Sequence, residues 1–209
     1  MITMIDYDAG NMKSVEKALL HLGEEVQVTR RAEDILCADK VILPGVGNFG
    51  SAMGKLDEYG LTDVIRQVCE KGTPFLGICL GLQLLFEESA ESPGVKGLGI
   101  LPGKICRIPK ASGLKIPHMG WNALHLPRTG RLFAGVPEGA YVYFVHSFYL
   151  QAADERMVAA ETDYGVGIHA SVEWGNVFAC QFHPEKSGDL GLTILQNFAG
   201  LDKGTEGVG

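Results

Sequence analysis

The stretch Thr73–Gln83 constrains this chain most, because it reads as a strand, a tight turn and a helix in immediate succession. The apolar run Phe75–Ile78 leads into Cys79, and helical apolar spacing begins at Leu82. Glycines two residues to either side of the cysteine allow close backbone packing, as in a nucleophile elbow. Such a turn projects its side chain from the sheet edge and starts a helix that favours a thiolate. The alternative is a structural cysteine, since free cysteines are often buried.

Strand-like and helical segments alternate over the first ninety residues. Apolar runs near 1–5, 25–29, 41–43 and 75–78 are separated by helical patterns, which predicts a parallel sheet with right-handed crossovers. Later strand-like segments near 141–149, 157–160, 166–172 and 177–182 predict antiparallel pairs added to that sheet, followed by a helix near 190–201. We therefore predict a flavodoxin-like α/β fold, a three-layer sandwich with a mainly parallel central sheet plus added antiparallel strands.

Bulk properties exclude several classes of function. With a net charge of −7 and no basic cluster, nucleic acid and anionic membranes are not expected partners. No apolar stretch approaches the ~18 residues that cross a bilayer, and the strand-like start leaves no room for a signal peptide. Five cysteines without a C-x-x-C pair predict no disulfide framework, no metal site and a reducing cytoplasmic location. We expect one domain at 1–202 and a disordered tail at 203–209.

A second motif, Phe182–Glu185, reads Phe-His-Pro-Glu at the end of a predicted strand. In extended chain, residues i and i+2 share a side, so His183 and Glu185 can face one way. A cysteine nucleophile needs a base for its proton, and that base needs a carboxylate to orient it. Cys79, His183 and Glu185 supply these three roles. Taken alone, the motif would also fit a strand-to-loop corner with a surface histidine.

A third motif, Pro44–Gly47, follows the predicted strand 41–43. Backbone N–H groups usually stabilise the oxygen of a tetrahedral intermediate. We expect one donor from Leu80, the residue after the cysteine, and another from Val46 or Gly47, whose peptide can adopt two orientations. The alternatives are a plain βα turn or a phosphate-binding loop, although no Gly-Lys-Ser/Thr follows.

Together these motifs resemble the triad class of glutamine amidotransferases. The resemblance covers about residues 1–200, and further stretches narrow it towards the glutaminase subunits of imidazole glycerol phosphate synthases. Those stretches are Asp6-Tyr7 with Gly10-Asn11, Pro117–Asn122 and Tyr143–Ser147. Asp8 departs from the pattern, since glycine is usual there, which puts the loop conformation in doubt.

The resemblance implies hydrolysis of L-glutamine to glutamate and ammonia through a thioester on Cys79, without a cofactor. It makes Gln83 a candidate for binding glutamine, together with Gly47, His146 and Ser147. On spacing alone, Gln83 could equally be a solvated polar residue near the start of the helix.

The resemblance also implies a partner, because ammonia released into water is protonated and lost as a nucleophile. The family's partner is a (β/α)₈-barrel cyclase subunit in a heterodimer. It uses the ammonia to make imidazole glycerol phosphate and an aminoimidazole carboxamide ribotide in histidine biosynthesis. We expect Asn11, Trp121, Tyr143 and Lys186 at that interface, since Trp and Tyr are common anchors. The alternative for Trp121 and Tyr143 is core packing.

Three rival functions remain open at this point. The chain could serve a different synthase, although the stretches at 119–122 and 143–147 speak against that. It could be a peptidase or γ-glutamyl hydrolase that needs no partner. It could also be a non-catalytic interaction protein on the same fold, which the intact triad argues against.

Overall fold

The computed structural model describes residues 1–110 and 113–202, so the predicted tail at 203–209 lies outside the described residues. Its strands are β1 (Ile2–Ile5), β2 (Val26–Thr29), β3 (Lys40–Leu43), β4 (Phe75–Ile78), β5 (Glu88–Ser89), β6 (Gly103–Arg107), β7 (His118–Ala123), β8 (Tyr141–His146), β9 (Phe148–Ala152), β10 (Val158–Asp163), β11 (Gly167–Trp174) and β12 (Val177–Cys180). Its α-helices are α1 (Met12–His21), α2 (Ala32–Cys37), α3 (Phe49–Glu58), α4 (Leu61–Glu70), α5 (Leu80–Leu84) and α6 (Gly188–Ala199).

A seven-stranded sheet in the order β10-β11-β12-β4-β3-β1-β2 forms the centre of the molecule. The five strands from β12 to β2 run parallel, while β11 pairs antiparallel with both β12 and β10. The predicted class, a mainly parallel sheet with added antiparallel strands, is confirmed. Smaller sheets of β5-β6-β9 and β7-β8 stand beside it.

Two apolar clusters cover the two faces of the central sheet. Successive strand residues point to opposite faces, so Phe75 joins the cluster that contains α3 and α4, and Leu76 joins the one that contains α1 and α6. Strands buried on both faces read as continuous apolar runs, which is why they stood out in the sequence.

Some elements differ from the predicted ones. The segment predicted at 141–149 is two strands, β8 and β9, which separate at Ser147. The short helix α2 was not predicted; its six residues bury only Ile35. Among residues 1–110 and 113–202, no helix has both the length and the apolarity that a membrane crossing requires.

Parallel topology brings the three sequence motifs to one edge of the sheet. The strands β3, β4 and β12 are neighbours, with Gly77 aligned to Leu43 on one side and to Ala179 on the other. Their carboxyl ends therefore place the loop after Leu43, the turn at Cys79 and the segment after Cys180 side by side. Ligand sites of open α/β sheets lie at this edge.

Candidate active site

Cys79 occupies a sharp turn between β4 and α5, as predicted for an elbow. Its backbone has φ 55 and ψ −104, a positive φ that side-chain-bearing residues rarely adopt. The turn is held by the Cys79 N–H, which donates to the Cys180 carbonyl at 2.8 Å. Both flanking glycines are required sterically: a Cβ at Gly77 would lie 2.7 Å from the Gly81 carbonyl oxygen, and one at Gly81 would lie 1.9 Å from that of Leu43.

His183 and Glu185 form a buried pair beside the cysteine. His183 Nδ1 lies 2.7 Å from Glu185 Oε1, and both side chains are fully buried. Burial acts to lower the pKa of His183, but the neighbouring Cys79 sulfur and Glu185 carboxylate raise it to about 9. With Nδ1 committed to Glu185, Nε2 is the nitrogen left for proton transfer, and no described residue gives it a hydrogen-bond partner. The pair can therefore hold and exchange one proton at the cysteine.

Asn11, predicted at the partner interface, lies against this pair. Its Nδ2 donates to Glu185 Oε1 at 2.6 Å and lies 3.4 Å from His183 Nδ1. Asn11 has a left-handed φ of 70 and stands directly before α1. The structure therefore gives Asn11 a contact with the Glu185 carboxylate that sequence reasoning did not foresee.

The loop after β3 approaches the cysteine so closely that Gly45 tolerates no side chain. A Cβ there would lie 2.1 Å from the Tyr7 hydroxyl, which itself donates to the Pro44 carbonyl at 2.8 Å. The Leu80 N–H, predicted as an oxyanion donor, donates at 3.2 Å to the Gly45 carbonyl. In a trans peptide C=O and N–H point in opposite directions, so the Val46 N–H points away from Leu80. In the resting structure the Leu80 N–H is therefore already hydrogen-bonded, and the Val46 N–H points away from Leu80.

A cavity of about 350 Å³ opens in front of the cysteine. It is lined by Val46, Gly47, Cys79, Leu80, Gln83, Glu91, Pro117, Val145, His146, Ser147 and Phe148. The volume suits a ligand the size of an amino acid. The predicted Gln83, Gly47, His146 and Ser147 are all brought to this cavity.

Gln83 and His146 line the cavity but are already held by protein groups. Gln83 Nε2 donates to the Phe148 carbonyl at 3.1 Å and to Gln181 Oε1 at 3.0 Å. His146 Nδ1 lies 2.9 Å from the same carbonyl, and its Nε2 lies 3.0 Å from His118 Nδ1. Burial lowers the pKa of His146 to about 3, so the ring is neutral. Gln83 can therefore offer a ligand its Oε1, while His146 offers mainly ring surface.

Two further residues at the site were not predicted. Glu91 brings a carboxylate to the cavity, where its Oε2 also accepts the Phe49 N–H at 2.7 Å. It lies in a glycine-rich stretch without periodicity, which carries no local signal. Gln181 is fully buried, and its Nε2 lies 3.7 Å from Cys79 Sγ. The alternation that placed His183 and Glu185 together extends back to Gln181, so this residue could have been found.

Trp121 and Tyr143 face away from the core. Trp121 is 54% exposed and Tyr143 half-buried, and the two pair across β7 and β8 with ring centroids 6.2 Å apart. The backbone carbonyl of Tyr143 accepts the His183 N–H at 2.9 Å. Lys186 is exposed on the short 3₁₀ turn after His183. Of the four residues predicted at an interface, Tyr143 and Lys186 therefore lie next to the triad, and Trp121 packs against Tyr143. The exposure of Trp121 excludes core packing for this side chain.

Asp8, where the resemblance leads us to expect glycine, adopts a left-handed conformation with φ 64, a region that glycine enters without steric cost. Its carboxylate accepts hydrogen bonds from Arg30 at 2.8 Å and from the Tyr59 hydroxyl, and Lys55 Nζ lies 3.8 Å away. These contacts tie Asp8 to Arg30 directly after β2 and to the C-terminal end of α3. The loop therefore keeps the positive φ although it lacks the glycine.

Comparison with known proteins places this fold and site in a class. The family model described as glutamine amidotransferase class-I matches residues 3–200. The chain belongs to the class-I glutamine amidotransferase family. A solved structure titled as a glutamine amidotransferase aligns over 95% of this chain and 100% of its own, with TM-score 0.73 and 24% identity, which supports the fold.

Within that family the chain is similar, over almost its whole length, to proteins named imidazole glycerol phosphate synthase subunit HisH. The Moorella thermoacetica protein is 51% identical over 200 residues, which cover 96% of this chain and 94% of that protein. The Methanocaldococcus jannaschii protein is 47% identical over 201 residues, which cover 96% of this chain and 100% of that protein.

Proposed function

We propose that this chain, with residues 1–202 as one domain, is the glutaminase subunit of an imidazole glycerol phosphate synthase. It hydrolyses L-glutamine to glutamate and ammonia through a thioester on Cys79, and the ammonia serves histidine biosynthesis. The observation that carries the proposal is the buried His183–Glu185 pair, joined at 2.7 Å, beside an elbow cysteine that opens into a cavity. The HisH name of relatives about half identical to the chain supports the choice of synthase.

The first chemical step is attack of the Cys79 thiolate on the side-chain amide carbon of glutamine. A C–S bond forms, and the amide oxygen takes up negative charge. His183 Nε2 then gives its proton to the amide nitrogen, the C–N bond breaks, and ammonia leaves behind a thioester. The raised pKa of His183, about 9, keeps this proton on the ring at neutral pH.

Water completes the cycle. The neutral His183 ring takes a proton from water as its oxygen bonds to the thioester carbon, and the C–S bond breaks to return the thiolate. Glutamate leaves, and the imidazolium beside Glu185 is restored. Glu185 orients the ring throughout, since its Oε1 accepts from Nδ1, and Asn11 donates to that same oxygen.

Recognition of glutamine requires groups that complement its α-ammonium and its carbonyls. Glu91 is the carboxylate among the cavity-lining residues and is placed to pair with the ammonium. Gln83 Oε1 can accept from the same end of the substrate, because both hydrogens of Gln83 Nε2 are used within the protein. Gly47 and Ser147 also line the cavity, where Gly47 can offer its backbone and Ser147 its hydroxyl group.

A cyclase subunit with a (β/α)₈ barrel is the proposed partner, in a cytoplasmic heterodimer. Ammonia is protonated in bulk water, so the partner must cover the site to receive it unprotonated. Trp121, Tyr143 and Lys186 form the proposed contact surface, and an exposed Trp packed against a partly exposed Tyr suits this role. Docking on Tyr143 would act close to the triad, because its carbonyl holds the His183 N–H.

The test is glutamine- and ammonium-dependent product formation by the Cys79→Ser variant mixed with the cyclase subunit. Glutamine-dependent turnover should be lost, while ammonium salt should still support the cyclase. A glutamine-analogue electrophile should label Cys79 and leave Cys37, Cys69, Cys106 and Cys180 unlabelled. Full glutaminase turnover by the wild-type chain alone would instead identify a free-standing hydrolase. Glutamine-dependent turnover that survives in Cys79→Ser would exclude Cys79 as the nucleophile.

A further inference from the structure

A hydrogen-bonded chain of three groups, two of them buried side-chain amides, ends on the sulfur of Cys79. The Phe148 carbonyl accepts from Gln83 Nε2, Gln83 Nε2 also donates to Gln181 Oε1, and Gln181 Nε2 faces Cys79 Sγ at 3.7 Å. Gln181 is completely buried and Gln83 almost so. The proposed chemistry uses Gln181 in no step, yet its side chain touches the reacting atom.

Hydrogen-bond logic determines which atom of Gln181 meets the sulfur. A backbone carbonyl can only accept, so the Gln83 atom beside the Phe148 oxygen must be the amide nitrogen. That nitrogen has a second hydrogen, and the Gln181 atom opposite it must therefore be the oxygen. The remaining end of Gln181, its NH₂ group, is then the end that faces Cys79 Sγ. The Phe148 oxygen, which also lies 2.9 Å from His146 Nδ1, thus fixes the orientation of the side-chain amides of Gln83 and Gln181.

We infer that Gln181 is a further catalytic residue, which donates an N–H to Cys79 Sγ and stabilises the thiolate before attack and when the thioester breaks. A hydrogen bond to a charged acceptor is stronger than one to its neutral form, so the donor favours the thiolate over the thiol. When sulfur is acylated it carries no charge and the bond weakens. When the C–S bond breaks, the same donor meets the returning negative charge.

Other ionisable groups near the sulfur do not replace this donor. Tyr7, Cys180 and His183 are near enough to Cys79 to interact with its charge, and His183 in turn contacts Glu185. Burial raises the pKa of Tyr7 and of Cys180 far above neutrality, so both stay neutral there. His183 supplies the mobile proton, whereas Gln181 supplies a donor that does not titrate.

The test is alkylation of Cys79 by iodoacetamide from pH 6 to 10, followed by peptide mass spectrometry. This inference rests on the proposed nucleophile, but alkylation needs neither glutamine nor the partner. Gln181→Met keeps the length of the side chain and removes the donor. Gln181→Glu puts a carboxylate oxygen where the N–H was. Gln151→Met is the matched control, because the Gln151 amide also lies beside a cysteine, accepting from Cys106 Sγ at 3.1 Å.

Gln181→Met should slow alkylation of Cys79 at neutral pH about 10- to 100-fold, the range for losing a hydrogen bond to a charged group. Its pH profile should move about one to two units upward, and that of Gln181→Glu should move further. Gln151→Met should match wild type. Near-UV circular dichroism checks folding, and if Gln181→Met does not fold, the profile of Gln181→Glu decides.

Two results are distinguishable. A wild-type profile in the folded Gln181 variants, with Cys79 still selectively alkylated, would overturn the role of Gln181 and leave the proposed function intact. If wild-type Cys79 reacts no faster than Cys69 or Cys180, both of which are buried, the nucleophile itself is wrong and the proposed function fails with it.

Discussion

Rotation of one peptide is expected to switch the glutaminase on. In the resting structure the Gly45 carbonyl accepts the Leu80 N–H at 3.2 Å, so this donor is not available to an intermediate. Turning the Gly45–Val46 peptide over would release the Leu80 N–H and, by the same movement, aim the Val46 N–H at the site. The sequence suggested the Val46–Gly47 peptide for this role, whereas the contact with Leu80 favours the peptide before it.

The size of the effect follows from the number of donors. Losing one oxyanion donor costs about 10²- to 10³-fold in turnover, and the resting loop withholds at least one. The bond that must break is a single backbone hydrogen bond, worth about 1 kcal/mol net, so partner binding can readily reverse the preference. The cyclase subunit with its acceptor substrate should therefore raise kcat for glutamine at least 10²-fold and change KM much less.

The assay compares kcat for glutamine in the chain alone, with partner, and with partner plus acceptor. Val46→Pro lacks the backbone N–H and should stay near the resting rate in all three states. Val46→Ala keeps that N–H and is the matched control, so it should be activated like wild type. Equal activation of the two variants, or a chain that alone already runs at the loaded rate, would refute the peptide switch.

Three further predictions concern the triad, the elbow and the proposed interface. Glu185→Gln should lower kcat by about 10³- to 10⁴-fold. For the wild type, kcat/KM is expected to fall near pH 9, where His183 loses its proton. Loss of the Glu185 charge should move this fall to lower pH, and an unchanged pH profile would contradict the pairing of His183 with Glu185. Gly81→Ala places a Cβ 1.9 Å from a backbone oxygen and should cost about 1–3 kcal/mol or more in urea unfolding. Gly54→Ala, where a Cβ meets nothing within 4 Å, should not destabilise, and equal midpoints would argue against elbow strain. Trp121→Ala should weaken binding of the cyclase subunit at least tenfold in calorimetry, whereas the similarly exposed Leu20→Ala should not; equal effects would remove Trp121 from the interface.

The sequence alone determined the fold class and the placement of the triad candidates. Both follow from local patterns: apolar strands buried on two faces, a cysteine between strand and helix, and the i, i+2 alternation of His183 and Glu185. Parallel strands with crossover helices bring their carboxyl ends to one edge. Motifs that follow three different strands could therefore be assigned to one site.

The tertiary structure alone decided the orientation of groups that meet across long sequence separations. No periodic pattern in the sequence indicates the direction of the Gly45 carbonyl or the contact of Asn11 with Glu185. The same holds for the Phe148 carbonyl, which fixes the orientation of the Gln83 and Gln181 amides. A glycine-flanked peptide and a side-chain amide each have two orientations of similar intrinsic energy. Their choice is made only by partners 35 to 174 residues away, which packing brings within hydrogen-bond reach.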